Sequence, residues 1–512
     1  MNRSFDIVFI GSGISSSFTL LHLLRRLKET QEPHPLKIGV LEKSNEFITG
    51  IPYGERSGSS VLLITDLKSF IPEPEKSLYI SWLTANKERL LAEMSRSGGH
   101  KTQEWLKKHA AALDANHWED LFIPRRFFGL YLTEKINELI EEHDKKGGVS
   151  VDFIQTEIVG LQKTNNHWEI NSKDGTDFQG KRVVLGVGSL PTRRLWGAAP
   201  IEEQNGLMVV NDIYNQGLDY TVEAMRAFLK NQNSVNVAII GANAGAVEIL
   251  YRIIDAQLGE YCDSFYFVSS HGVLPDAYLD EEKLKSFAPV HLRDLANESV
   301  ISASDIYDAS QKDIDVAEAM ALGARSSVGV ISSAIGQLLG KLNHKELELF
   351  AARYGNEIGR RQRCAGSHYI DNIKALEDHG RFKHIAGRFQ DLVESKDSEG
   401  YYLQIKDTNS GLFSSIEKPI SLVINCTGST DLQSEDTPEL LRNILAKNLA
   451  KANDSGIGFE VNDKLQTQGG LFVVGPMLGG NVIQGKAVWH VEHCGRIVWL
   501  SGMLAEVLSS DI

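Results

Sequence analysis

Asp6-Ile-Val-Phe-Ile10, Gly11-Ser-Gly13-Ile-Ser-Ser16 and Ser17-Phe-Thr-Leu-Leu-His-Leu-Leu24 follow one another without a break. The first piece is a short apolar run suited to a parallel strand buried on both faces. The second is a glycine turn. In the third, Phe18, Leu20, Leu21, Leu24 and Leu27 recur at helical spacing. Pro33 and Pro35 stop that helix, Lys37-Ile-Gly-Val-Leu41 reads as a second strand, and Glu42 stands at its C-terminal end. Strand, glycine turn, helix, strand and acid is the order of a dinucleotide-binding βαβ unit. The turn, Gly11-x-Gly13-x-x-Ser16, has Ser where a third Gly is usual. Gly11 can make the tight bend, Gly13 lets the backbone approach a pyrophosphate, and Ser16 is small enough for close helix packing. The helix N-terminus offers N–H groups and partial positive charge to the phosphates. Glu42 lies further along than usual because the helix and the Pro33–Pro35 loop are long. Its carboxylate suits a ribose diol, or else a solvated strand end.

A weaker copy lies about 230 residues on. Val237-Ala-Ile-Ile240 is a strand, Gly241-Ala-Asn243-Ala-Gly245-Ala246 a turn, Val247–Leu258 a helix and Phe265-Tyr-Phe-Val268 the next strand. Asn243 takes the second Gly position, and Asn tolerates unusual backbone angles better than most residues. The second strand ends in Ser269-Ser270-His271-Gly272, which suits a plain ribose or a 2′-phosphate equally, so NAD against NADP stays open. Each unit is completed later by an apolar strand ending in a Gly turn: Arg182-Val-Val-Leu185 before Gly186-Val-Gly188, and Leu422-Val-Ile-Asn425 before Gly428.

The 512 residues as a whole fit a multidomain globular protein, 42% apolar and 23% charged. The formal charge of −14 and pI near 5.6 oppose a nucleic-acid binder with a broad basic face. They also mean that an anionic cofactor must be held by local devices. Cys262, Cys364, Cys426 and Cys494 form no CxxC pair, so neither a dithiol redox centre nor a Cys-rich metal site is expected. His490 and His493 share a spacing but lack further ligands, and no metal is expected. No run approaches a membrane span, and the N-terminus lacks a cleavage site, which together predict a cytoplasmic protein. Residues 77–147 and about 280–380 read as helical, and a last helix is expected from about Lys486 to Leu508. The fold class is α/β, with two Rossmann-like dinucleotide-binding domains and a helical insertion. The expected division is 1–215 and 429–512 for one domain and 216–428 for the other.

Gly11–Ser16 with Glu42, Gly50-Ile-Pro-Tyr-Gly54, Leu62–Pro74, Phe122-Ile-Pro-Arg-Arg-Phe-Phe-Gly-Leu-Tyr131, Val183–Pro191, Gly241–Glu248, Arg360-Arg-Gln-Arg-Cys-Ala-Gly366, Val423–Gly428 and Leu471–Pro476 come in a telling order. Together they resemble the bacterial FAD/NAD(P)-binding proteins related to class B flavin monooxygenases, lysine/ornithine N-hydroxylases and a urate-hydroxylase-like group. The resemblance covers nearly the whole chain and implies a glutathione-reductase-like flavoprotein architecture. It implies that Gly11, Gly13, Ser15, Ser16, Glu42 and Lys43 hold FAD, and that Gly475 and Pro476 sit near the flavin. Tyr53, with Thr65 and Asp66 of the Ile64–Leu67 turn, would approach the ring. Gly241, Asn243, Gly245, Ser269, Ser270 and His271 would take NADP or NAD. Gly188 and Gly428 would be the crossings between domains; the family usually has Ala-Thr-Gly where this chain has Gly186-Val-Gly188.

Two dinucleotide units make sense if one binds a resident redox cofactor and the other a diffusible hydride donor, the flavin supplying the hard chemistry. The expected activity is an NAD(P)H-using monooxygenase that hydroxylates a small polar substrate at N or C with molecular oxygen. Arg125, Arg126, Arg361 and Arg363 are candidates for clamping an anionic substrate, or else surface arginines paired with acids. The insertion would build or cap the pocket. A reductase or dehydrogenase without oxygen insertion, and a non-catalytic redox sensor or partner module, are the alternatives.

Overall fold

The structure, a computed structural model, describes residues 3–29, 35–197, 199–232, 235–394, 400–408 and 410–510. Pro33, expected to end the first helix, lies outside them. The strands are β1 (Arg3–Ile10), β2 (Leu36–Glu42), β3 (Val149–Gln155), β4 (Ile158–Lys163), β5 (Trp168–Ser172), β6 (Asp177–Leu185), β7 (Ile201–Gln204), β8 (Leu207–Val210), β9 (Val235–Ile240), β10 (Cys262–Ser269), β11 (Phe382–Glu394), β12 (Tyr401–Asp407), β13 (Phe413–Ser415), β14 (Leu422–Asn425) and β15 (Phe472–Val473).

Two sheets organise the chain. In the first, β3, β2, β1, β6 and β15 run parallel, and the antiparallel β4–β5 pair extends from β6. Ile7, Val8, Phe9 and Ile10 are buried, as a strand covered on both faces requires. The helices Ile14–Glu29, Arg125–Lys146 and Cys494–Ser510 join that core. In the second sheet, β11, β10, β9, β14 and β8 are parallel, with antiparallel β12–β13 on one edge and β7 on the other. The helices Ala244–Asp255 and Ser367–Asp378 pack on it.

Two expectations need correction. β7 and β8 belong to the second sheet, so the chain has crossed well before residue 216. The crossing points lie side by side: Thr192 bridges Ser429, and Thr430 N–H donates to Pro191 O. The last helix begins at Cys494. Lys486–Val488 instead pairs with Asn481–Ile483 as a ribbon, because Gln484 and Gly485 both take positive φ (48° and 71°) and turn the chain back. Helices between 281 and 361 build a third core, on Leu292, Ile306, Ile331 and Phe350, and Ala487 of the ribbon joins it. Among the described residues no helix is long and apolar enough to cross a membrane.

Candidate functional site

The two glycine turns are built alike. Gly11 has φ +93°, and a Cβ there would sit 2.3 Å from Gly186 O. Gly11 N–H donates to Leu41 O, and Gly186 N–H to Ile10 O, so the turn is tied to both neighbouring strand ends. Gly241 has φ +119°, and its Cβ would sit 2.0 Å from Cys426 O. Gly241 N–H donates to Val268 O and Cys426 N–H to Ile240 O, the same bonds in the second sheet. Each bend presses on the backbone of the strand that completes its unit, which only glycine permits.

Around the first turn, Gly13 has space: the nearest atom to a Cβ there would be Gly50 Cα, at 4.0 Å. Buried Glu42 accepts Ser12 N–H at 2.9 Å on one carboxylate oxygen, and Ser44 N–H and Oγ–H on the other. An ionised carboxylate has about four acceptor sites, which leaves about one for a ligand hydroxyl. Lys43 is exposed. Ser15 lies against Gly475, whose φ is +80° and whose Cβ would be 3.1 Å from Ser15 Oγ. Val474 N–H donates to Leu185 O, so the ends of β1, β6 and β15 converge there. The helix Cys494–Ser510 is fastened by Ser501 Oγ–H to Ser15 O. This cradle of turn glycines at the mouth of a helix without acids in its first turn fits a dinucleotide.

Ser16 explains a departure from the usual pattern. Its Oγ is buried with no hydrogen-bond partner among the described residues, and a Cβ at Gly186 would lie 2.0 Å from it. The hydroxyl occupies the room that a side chain at 186 would need. Gly186→Ala is therefore expected to force Ser16 off its rotamer and lower stability by about 1 kcal/mol. Adding Ser16→Ala should restore it, as thermal melts of the two single variants and the double variant would show.

Other candidates fall differently. Tyr53 does not offer an open face to a flavin. It is buried, its ring packs on Phe70 and Phe128, and its hydroxyl meets Cys494 Sγ at 3.2 Å. Asp66 caps a short helix by accepting Ser69 N–H, and pairs with Arg325 of the insertion at 3.3 Å. Thr65 is half-buried beside it, and Ile64 is exposed. Gly188 and Gly428, with φ +79° and +96°, are open turns at the crossings. Asn243 has ordinary φ (−92°). Its side chain caps the helix at Ala246 N–H and donates to Cys426 O, so capping rather than backbone freedom accounts for it. Gly245 sits in the first turn of the same helix. Ser269 Oγ meets His384 Nε2 at 2.8 Å, Ser270 is half-buried and His271 is exposed.

Of the four arginines, three lie within 4.0 Å of acids. Arg125 pairs with Glu248 at 2.7 Å across the two units, and Glu248 also accepts the Tyr214 hydroxyl. Burial alone would lower Arg125, but the Glu248 carboxylate holds its guanidinium above the usual range. Arg361 is held by Gln311, Asp315 and Glu318. Arg126 faces Glu55 and Glu93 at 3.5 and 3.6 Å and lines a cavity of about 400 Å³ with Glu46, Thr49 and Phe153. Arg363 has no acid within 4.0 Å among the described residues.

A second tie between the units joins residues too far apart in the chain for any motif to mark it. Arg252 bonds Asp219, Asp255 and Ser60 Oγ, and Asp255 accepts Thr102 N–H. The same is true of the contact between the insertion and the return segment: Gly355 packs on Trp489, and Asn356 Nδ2–H donates to Trp489 O. His490 is pushed down to about 3, by burial first and then by Arg496 and His493, and its Nδ1 accepts from Arg496.

Residues 8–190 match a family model described as FAD-NAD(P)-binding. An uncharacterised Mycobacterium tuberculosis (strain H37Rv) protein is 29% identical over 518 residues, 99% of this chain and 96% of its own. An ornithine N-hydroxylase from Kutzneria superposes with a TM-score of 0.55 at 12% identity, covering 99% of this chain and all of that one. An L-lysine 6-monooxygenase from Pseudomonas syringae does so with a TM-score of 0.55 at 14% identity, over 99% and 100%. Residues 8–190 thus match the FAD-NAD(P)-binding model, in a chain that shares the two-dinucleotide-domain fold of these solved structures from end to end.

Proposed function

We propose that this protein is an FAD-dependent oxidoreductase that draws hydride from NAD(P)H, and that it acts as a monooxygenase on a small polar molecule, hydroxylating N or C. The observation that carries the reading is the paired construction: two glycine turns, Gly11 and Gly241, each seated on the carbonyl of its completing strand. Gly11, Gly13, Ser15, Ser16 and Glu42, with Gly475 and Pro476, would hold FAD. Gly241, Asn243 and Gly245 would hold the nicotinamide dinucleotide. FAD when bound supplies a hydride acceptor and a centre for reaction with oxygen.

The chain's own part is to bind, orient and exclude water. The N–H groups at the start of the helix Ile14–Glu29 face the pyrophosphate position. The Arg125–Glu248 pair, and the bonds of Arg252 and Asp255 to Ser60 and Thr102, hold the two units in one arrangement. The insertion, seated on Trp489 and Asp66, would cap the substrate pocket. With Arg125 and Arg361 paired to acids, an anionic substrate is not required.

The test mixes FAD-loaded protein with NADPH, then NADH, without oxygen, and then admits oxygen. Bleaching of the visible flavin band by either nucleotide is expected. On admission of oxygen, hydrogen peroxide should form more slowly than from free reduced FAD. Peroxide release as fast as from free reduced FAD would favour the reductase reading. A protein that takes up no FAD would overturn both.

A further inference from the structure

The cavity of about 400 Å³ in the first unit lies outside the cofactor cradle. It is bounded by the loop 45–49, the short helix Gly50–Tyr53, the helix Arg125–Lys146 and β3, and none of Gly11–Ser16, Glu42 and Gly475 lines it. Phe47 and Phe153, packed edge to face at 5.3 Å, and Leu130 give it apolar surface. Its polar groups are unevenly matched. Glu46 is half-buried, with no Lys, Arg or His within 4.0 Å among the described residues. Both of its oxygens accept one donor, Glu55 N–H, at 2.9 Å. An ionised carboxylate has about four acceptor sites, so about two stay open. Arg126 does not compensate it, because it faces Glu55 and Glu93 at 3.5 and 3.6 Å. Three carboxylates to one guanidinium leave the cavity negative. Thr49, only 6% exposed, also lines it, and its hydroxyl has no hydrogen-bond partner of regular geometry among the described residues. The Thr49 methyl lies toward Gly129 of the long helix. Its Oγ1 lies toward Gly54, where a Cβ would be 2.5 Å from it and 2.3 Å from Glu46 Oε2. Hydroxyl and carboxylate therefore converge.

A buried hydroxyl and a carboxylate without counter-charge are costly unless something pairs with them. An ammonium group has three N–H donors and can serve both. A bare divalent cation would need more oxygen ligands than converge here. The aromatic pair beside them suits an apolar tail. We infer that this cavity is a binding site for a primary amine with a short apolar tail, separate from the cofactor and substrate sites. The loop that holds Glu46 and Thr49 also roofs the cofactor cradle. Ile48 N–H donates to Ser12 Oγ, Ser17 Oγ–H donates to Ile48 O at 2.6 Å, and a Cβ at Gly50 would lie 3.0 Å from Gly13 Cα. An amine that fixes this loop from one side steadies the cradle on the other, so amine and FAD each tighten the other by the same factor. The coupling rests on reading the first turn as the FAD site; the amine site does not.

Calorimetric titration of the FAD-loaded protein, in phosphate buffer, with 2-phenylethylamine and with 2-phenylethanol tests it. The amine is expected to bind at least about tenfold more tightly than the alcohol. Glu46→Gln keeps an acceptor for Glu55 N–H and should lose that preference. Thr49→Val keeps the shape of the side chain and should weaken the amine by about threefold. Both variants should melt with the wild type, and the wild-type comparison stands even where a variant fails to fold. Saturating amine should tighten FAD by about threefold; an unchanged FAD affinity would overturn the coupling. Equal affinities for amine and alcohol, or a preference that survives Glu46→Gln, would overturn the site. Displacement of FAD by the amine would overturn it too, by assigning the cavity to the cofactor. If the protein takes up no FAD and still prefers the amine, the site stands and the reading of the first turn fails instead.

Discussion

Gly11→Ala is expected to abolish FAD retention and to destabilise the first domain by about 2–5 kcal/mol. The added Cβ would meet backbone, Gly186 O at 2.3 Å and Gly186 C at 2.7 Å, and backbone cannot rotate aside. The φ of +93° adds strain of its own. Gly13→Ala separates folding from binding. Its Cβ has 4.0 Å of clearance from the protein, so the variant should melt with the wild type. It should bind FAD roughly 30–100-fold more weakly, because the methyl takes the space the pyrophosphate needs. Urea unfolding and FAD titration of the two variants check this. A Gly13→Ala protein with wild-type FAD affinity would show that the turn does not cradle the cofactor.

Glu248→Ala is expected to cost about 3–5 kcal/mol, because it leaves the Arg125 guanidinium buried without a counter-charge. The side chains of Arg125 and Glu248 are 12% and 1% exposed, so water cannot take the place of the lost carboxylate. The pair sits between the two units, so the loss should also speed proteolysis near the crossings, around 191–200 and 426–430. Replacing both partners by apolar residues, Arg125→Met with Glu248→Leu, should recover most of the stability. Thermal melts and limited proteolysis decide it. If Glu248→Ala melts within about 1 kcal/mol of the wild type, the pair does not hold the units together.

The parts legible in the sequence are those fixed by neighbours in the chain. Gly11, Gly13 and Glu42 stand in one βαβ unit, where periodicity and turn chemistry act over about 35 residues. The second unit, with Gly241, could be read for the same reason despite Asn243. What the sequence did not reveal depends on partners far along the chain. Arg125 resembles a ligand clamp until Glu248 is brought to it by the second domain. Tyr53 resembles a flavin neighbour until Phe70 and Phe128 close around it. Ser269–Gly272 leaves the nucleotide undecided because it holds neither an acid nor an arginine of its own. Lys486–Val488 reads as the start of the last helix until the Gln484–Gly485 turn folds it back onto Asn481–Ile483.

The return of β15 to the first sheet sets an order of assembly on the ribosome. β6 ends at Leu185 and its parallel neighbour begins at Phe472. At about 5–20 residues per second, the roughly 290 residues between them take on the order of 15–60 s to make. Throughout that interval the edge of β6 has no partner from β15, and such an edge invites pairing with other chains. The helix Ile14–Glu29 likewise waits for the helix Cys494–Ser510, and Ser15 for Gly475. The parallel strands of the second sheet all lie between 207 and 425 and need nothing from the C-terminal segment. The second sheet can therefore finish folding first, and the first sheet closes only when Phe472–Val473 and the helix Cys494–Ser510 have emerged.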